Sequence, residues 1–502
     1  MGIFVGIGNY IGRVRQIGDG GGQPIGPNDY YIITEDGIAV LTERGKHILL
    51  DKYVTEDEIA TWVKEHMVFW YDMSKPVDVY VPGVTYANPF VNGGGKLTYD
   101  NAINKCIITH TPTNNNNIAF WQIIVKPLQY VESYKIRVTG LPEGFTMKGR
   151  LGYVSIQITS DGEYDIPEYK NSSTTNSSYP GFYLAGDNVN DVDCNIVVEE
   201  IPTKQSVPTN EILKANPYLQ DFSGNNRPLK LNNFLFAAMS GVGGYDIAST
   251  NILPDRANVT VTDNRIIHIT KKLSTTDNMV NIVPANSNPT HKFKVAGLSD
   301  GRQVSLVNRN GGFYTFDNGE HEVTLTYPEG TTSLYNAIGV TGDIGDMDVT
   351  IEFIPRYPNA LVTDGVDDYG QIQNLQHGVK VLFMTANPLG LYKTWYAQDS
   401  FSIYGQPGIT AYNFRNTGGV TYLDGILNEA EVSNNLLNKK QTVTIVNPTD
   451  GGNNSIIFFN SYGSSYMNMA FYNSIGFDAV PEGNVTLQRV INYVINNILN
   501  KA

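Results

Sequence analysis

Short stretches in which apolar and polar residues alternate recur along most of the chain. A spacing of two belongs to β-strands with one buried face. Lys292-Phe293-Lys294-Val295 and Glu322-Val323-Thr324-Leu325-Thr326 are clear instances, and Gly or Asn turns separate such stretches at short intervals. Helical spacing stands out at two places. Thr55 precedes Glu58 by three residues, a capping box, and Ile59, Trp62 and Val63 then share one face of a helix from Glu56 to about His66. Near the end, Val485, Leu487, Val490, Ile491, Val494, Ile495 and Ile498 form an apolar stripe over residues 485–499. The pattern predicts an all-β protein: tandem β-sandwich or jelly-roll domains, a small α+β unit near the start and a C-terminal helix.

The pattern also repeats at long range. Tyr-Lys-Ile-Arg-Val-Thr-Gly-Leu-Pro-Glu-Gly at 134–144 corresponds to His-Lys-Phe-Lys-Val-Ala-Gly-Leu-Ser-Asp-Gly at 291–301, so that Gly140 and Gly297 stand 157 positions apart. Gly162 and Gly319, in Asp-Gly-Glu-Tyr-Asp and Asn-Gly-Glu-His-Glu, keep the same 157. The closing strands at 197–202 and 350–355 are offset by 153, which places a short deletion in the preceding loop. Loop lengths vary more freely than the strands they join. Two copies are expected, over 76–204 and 246–355.

A length of 502 residues leaves room for three or four domains. Charged residues make up only 17% and Tyr numbers 31, which suits strands and polar turns better than long surface helices. The net charge of -14 argues against nucleic acid and against an anionic membrane surface as partners. The two cysteines, Cys106 and Cys194, are too few for a secreted disulfide scaffold and read as buried free thiols. The start has no basic, long-apolar targeting pattern, and no stretch reaches the ~18 apolar residues of a membrane span. A protein acting outside a cell without such a segment would leave by another route, such as host lysis.

Residues 1–26 are Gly-rich and cannot build a core; Phe4, Tyr10, Arg13 and Arg15 are the candidates for docking this segment on a neighbour. Residues 27–75 are expected to form the small unit, opening with a hairpin of Tyr30–Thr34 and Ile38–Leu41 around Glu35-Asp36-Gly37.

Two further segments carry a family resemblance. Asp221-Phe222-Ser223-Gly224-Asn225 resembles the opening of a concanavalin A-like (laminin-G-like) jelly roll, and Thr363-Asp364-Gly365-Val366-Asp367-Asp368-Tyr369 resembles a strand of the same family. In that family the two motifs lie a few tens of residues apart, whereas here Asp221 and Asp364 are 143 positions apart. The resemblance therefore implies that the second repeat is inserted near Gly241-Val242-Gly243-Gly244, with 206–245 and 356–502 forming one lectin-like domain. The wider arrangement, including the stretch 234–245 and the N-terminal Phe4-Val5-Gly6-Ile7-Gly8-Asn9, resembles structural fibre or decoration proteins of tailed phages of gut Bacteroidetes. That resemblance implies a virion location after assembly in the host cytoplasm, other capsid or tail proteins as partners, a homo-oligomer (trimer or dimer), and host surface glycans as a further partner. A carbohydrate-binding cell-surface adhesin is the alternative, and a glycan depolymerase a second one.

Catalytic chemistry leaves no signature: no His-Glu-x-x-His, no Gly-x-Ser-x-Gly, no phosphate-cradling Gly-Lys-Ser/Thr ending, and no carboxylate pair that stands out as a glycosidase pair. The expectation is a non-enzyme with no cofactor and no resident metal. Asp364, Asp367 and Asp368 could ligate calcium but read better as a turn at Asp364-Gly365 with Asp368 facing solvent beside buried Val366 and Tyr369, and Asp343, Asp346 and Asp348 read as a solvated loop. Tyr392, Trp395, Tyr396 and Tyr404 are the candidate sugar platform. Their rings read better as core or interface packing.

Overall fold

A computed structural model of the chain describes residues 40–41, 47–48 and 54–499, apart from 81–84, 88–95, 101, 112–117, 152–153, 178–180, 186–191, 246, 263, 285–288, 300, 309–311, 328–335, 374–377, 390–393, 399–400, 405–419, 429–438, 447–454, 460–467 and 483–484. Antiparallel sheets dominate it, as the alternating pattern requires.

The two repeats fold alike. In the first, one five-stranded sheet runs Gly162–Ile166, Tyr134–Thr139, Val192–Ile201, Lys105–Thr111, Lys96–Asp100, and the other runs Val154–Ile158, Thr146–Leu151, Gly181–Ala185, Ile118–Ile124, Thr85–Ala87. In the second, the corresponding sheets run Gly319–Thr324, Thr290–Ala296, Gly345–Phe353, Ile266–Lys272, Ala257–Thr262 and Phe313–Phe316, Val304–Asn308, Asn336–Val340, Val280–Pro284, Ile247–Ile252. Strand for strand, the chain visits the two sheets in the same sequence. Burial follows the alternation: Tyr134, Ile136 and Val138 point inward in one copy, and His291, Phe293 and Val295 in the other. Each copy closes its own core, around Ile136, Val138, Phe182 and Val198 or around Phe293, Val295, Leu306 and Ile351.

Most of the remaining strands make a third, larger unit of two sheets. Tyr218–Leu219, Leu229–Asn232, Tyr369–Gln373, Ser455–Phe458, Thr394–Gln398 and Phe401–Tyr404 form one. Gly241–Val242, Leu361–Val362, Met469–Phe477, Val381–Pro388, Gln441–Val446, Val420–Leu423 and Ile426–Asn428 form the other. Strands from before and after the second repeat thus share both sheets. Leu229, Leu231, Leu382, Met384, Phe458 and Phe471 fill the space between them. Val381–Pro388 is buried at every position, as expected of a central strand covered on both faces.

The second cover is helical. Helix α1 (Glu56–His66) has the predicted capping box, with Glu58 N–H donating to Thr55 Oγ1 and Thr55 N–H to the Glu58 carboxylate. Helix α2 (Asn210–Ala215) is capped by Thr209. Helix α3 (Leu487–Tyr493) continues as a π-helix over Val494–Leu499. The wider turn stacks residues five apart, so Val494 and Leu499 both reach the core while Ile495 and Ile498 are only partly buried. Ile59, Val63, Val490, Ile491 and Val494 pack on Phe383, Ile475 and Phe477 of the large sheet.

The described part of 27–75 is not a separate unit: Met67–Asp72 adds to the large sheet beside Met469–Phe477, and α1 covers that sheet's outer face. An apolar strand and a one-sided helix cannot bury their surfaces on each other alone. The expected strand Tyr30–Thr34 lies outside the described residues, and Val40–Leu41 pairs with His47–Ile48.

Candidate functional site

The structure brings Trp395 and Tyr396 onto Thr394–Gln398 and Tyr404 onto the neighbouring edge strand Phe401–Tyr404, with Thr394 opposite Tyr404 and Tyr396 opposite Ile403. Tyr392 and the docking candidates Phe4, Tyr10, Arg13 and Arg15 lie outside the described residues.

The two motifs that carry the family resemblance act as fasteners. Asp221 accepts from the backbone N–H groups of Trp70 and Ser223 at 2.9 Å through Oδ1, and from Arg227 N–H at 2.9 Å and Ser223 Oγ at 2.8 Å through Oδ2. Asn225 Nδ2 donates to the Met67 carbonyl at 2.6 Å. These bonds lash the 221–227 loop to the Met67–Asp72 strand. In the second motif Asp368, expected to face solvent, is instead fully buried. Its carboxylate accepts from Ser240 Oγ at 3.0 Å and from the Asp364 N–H at 2.9 Å, which ties the turn to the loop before Gly241. Burial pushes the Asp368 carboxyl up to about 7, a rise that these two hydrogen bonds oppose and the neighbouring Asp364 carboxylate reinforces.

Asp364, Asp367 and Asp368 have oxygen atoms within 4.8 Å of one another, the only such metal-capable group among the described residues. Asp364 Oδ1 already accepts from Val366 N–H at 2.7 Å and Asp368 holds Ser240, so the turn reading accounts for these side chains. In the other acidic group, Asp346 pairs with Lys271 at 3.0 Å and Asp348 hydrogen-bonds His268 at 2.7 Å. In the first copy Asp193 pairs with His110 at 2.7 Å. Both cysteines are free; Cys106 is buried, which pushes its thiol up to about 12, and Cys194 is half-buried.

A cleft of about 530 Å³ opens where the chain enters and leaves the second sandwich. No sequence motif marks it, because its walls come from four separate segments. Tyr245 and Tyr357 stand on the two chain passages, Thr290, His291 and Lys292 on one strand, and Glu322 on the next. Arg356 completes the rim. The passages are bound to each other: Arg356 N–H donates to the Gly244 carbonyl at 3.0 Å, Tyr357 N–H to Gly243 at 2.9 Å, and Gly243 N–H to Ala360 at 2.8 Å. Gly243 has φ +83° and sits so close to the return passage that a Cβ there would stand 2.7 Å from Pro355 Cβ. Beneath the cleft, the Tyr327 hydroxyl donates to Asn336 Oδ1, which turns Asn336 Nδ2 toward buried His291 Nε2 at 3.4 Å. The result is a rigid, half-apolar recess with two cations, Lys292 and Arg356, and one carboxylate, Glu322, at its rim.

Fold and site define a class: an all-β protein of two repeated sandwiches with a third two-sheet unit. No protein-family model matches the chain, and no curated protein matches it by sequence.

Proposed function

We propose that the chain is a structural protein of a bacteriophage virion, a fibre or decoration on head or tail. Its N-terminal segment, with Phe4, Tyr10, Arg13 and Arg15, docks on other virion proteins, and its β domains are displayed outward. The observation that supports this reading best is the pair of ten-strand sandwiches with the same connectivity, each with its own core, held together with a third two-sheet unit. Stiff repeated modules with few long helices suit a load-transmitting appendage. The third unit is concanavalin A-like in this reading, since the Asp221 and Asp368 motifs hold together a two-sheet unit. Host surface glycans are its ligands in attachment, and the working form is a homo-oligomer, trimer or dimer, whose multiplicity strengthens weak contacts.

Mass spectrometry of gradient-purified particles tests the role. Peptides of the chain should band with the major capsid protein through a second density gradient. Their loss on the second gradient would contradict a virion role.

A further inference from the structure

The geometry points to the cleft at the root of the second sandwich as a binding site for a carboxylate-bearing saccharide. This deepens the attachment reading and rests on it only for the source of the ligand. Two half-buried rings, Tyr245 and Tyr357, come from chain passages whose backbones are hydrogen-bonded to each other, so they are held in place before any ligand arrives. Such a site loses little freedom on binding. The apolar C–H face of a sugar ring packs on an aromatic ring, and its hydroxyls need a polar partner nearby, which the exposed Glu322 carboxylate supplies.

The charge at the rim selects among saccharides. Lys292 and Arg356 outnumber Glu322 in a chain whose net charge is -14, so the cleft is a local reversal of sign. A guanidinium presents paired donors that match a carboxylate. Glu322 lies directly across the strand pair from Lys292, which tempers the positive charge and disfavours a polyphosphate relative to a saccharide with one carboxylate per ring. The volume of about 530 Å³ lies in the range of small-ligand clefts.

Isothermal titration of the full chain with tetragalacturonate, a sialic acid tetramer and neutral maltotetraose tests this. At least one acidic tetramer should bind about tenfold or more tighter than maltotetraose, and Arg356→Ala or Lys292→Ala should each weaken it about tenfold, the size of one charge-assisted contact. Both side chains are exposed, and the unfolding midpoint of each variant is measured in parallel, so that a loss of binding is separated from a loss of fold. Absence of binding by both acidic tetramers, equal binding of maltotetraose, or unchanged affinity in both variants would overturn the site. These outcomes are independent of whether the chain is found on particles.

Discussion

Gly297 lies so close to Asp348 that a Cβ atom on it would stand 1.9 Å from the Asp348 carbonyl oxygen. The first copy holds the same relationship, with a Cβ on Gly140 standing 2.2 Å from the Asn195 carbonyl oxygen. Both glycines have positive φ, +87° and +75°. The side chain 21 residues after each fastens the same turn: Asp161 accepts from Gly140 and Leu141 N–H, and Asn318 accepts from Leu298 N–H. The repeat therefore preserves a backbone device, not only a pattern of apolar positions.

Gly297→Ala should destabilise the second sandwich by more than ~2 kcal/mol, since it adds a backbone clash to a left-handed conformation. Gly301, at φ +71°, has nothing within 4 Å of a Cβ, so Gly301→Ala isolates the conformational part at about 1 kcal/mol. Urea unfolding of both variants checks this; equal losses would contradict the clash.

Much of this was legible in the sequence, and for a common reason. The capping box of Thr55 and Glu58 and the alternation in Thr290–Ala296 are local signals, read within one turn or one strand, and the spacing of Gly140 and Gly297 emerges once one copy of the repeat is laid on the other. What escaped is long-range. Nothing near Met67–Asp72 announces a partner at Met469–Phe477, because any strand edge of suitable pattern could take it. Asp368 was expected at the surface because an aspartate beside an exposed turn usually is; the partner that makes its burial tolerable, Ser240, is 128 residues away. The cleft of Tyr245, His291 and Tyr357 escaped for the same reason, while Trp395, Tyr396 and Tyr404 do fall on adjacent strands.

Asp368 should make stability fall with rising pH. The unfolded side chain ionises near ~3.9, whereas the folded one keeps its proton until about 7. Between those values the folded state binds more protons, so stability declines as pH rises and levels off above the folded value. Asp368→Asn, which keeps one acceptor for the Asp364 N–H, should flatten the melting temperature over that window. Parallel wild-type and variant profiles would contradict the assignment.

Lys272 is fully buried, donating to Asp277 and to the carbonyls of Val340 at 3.0 Å and Gly342 at 2.8 Å. Asp277→Ala leaves a buried ammonium without its counter-charge and should cost about 3–5 kcal/mol. Adding Lys272→Met should recover much of that loss. A double variant less stable than the single one in urea titrations would contradict the pairing.

The two chain passages at the root of the second sandwich are adjacent, with Arg356 N–H bonded to the Gly244 carbonyl at 3.0 Å. Deleting 246–355 and joining Tyr245 to Arg356 through an Asn-Gly turn should leave the two-sheet unit with a cooperative unfolding transition. Residues 246–355 expressed alone should show their own. A gradual, non-cooperative loss of signal in the shortened chain would show that the two-sheet unit depends on the inserted sandwich.

The central claim is the place of this chain on a virus particle. Immunogold electron microscopy of purified phage, with antibodies against residues 356–502, addresses it directly. Gold should appear at a defined position, on the capsid shell or vertices for a head fibre or decoration and at the tail for a host-recognition fibre; particles that carry no gold would contradict a place on the virion.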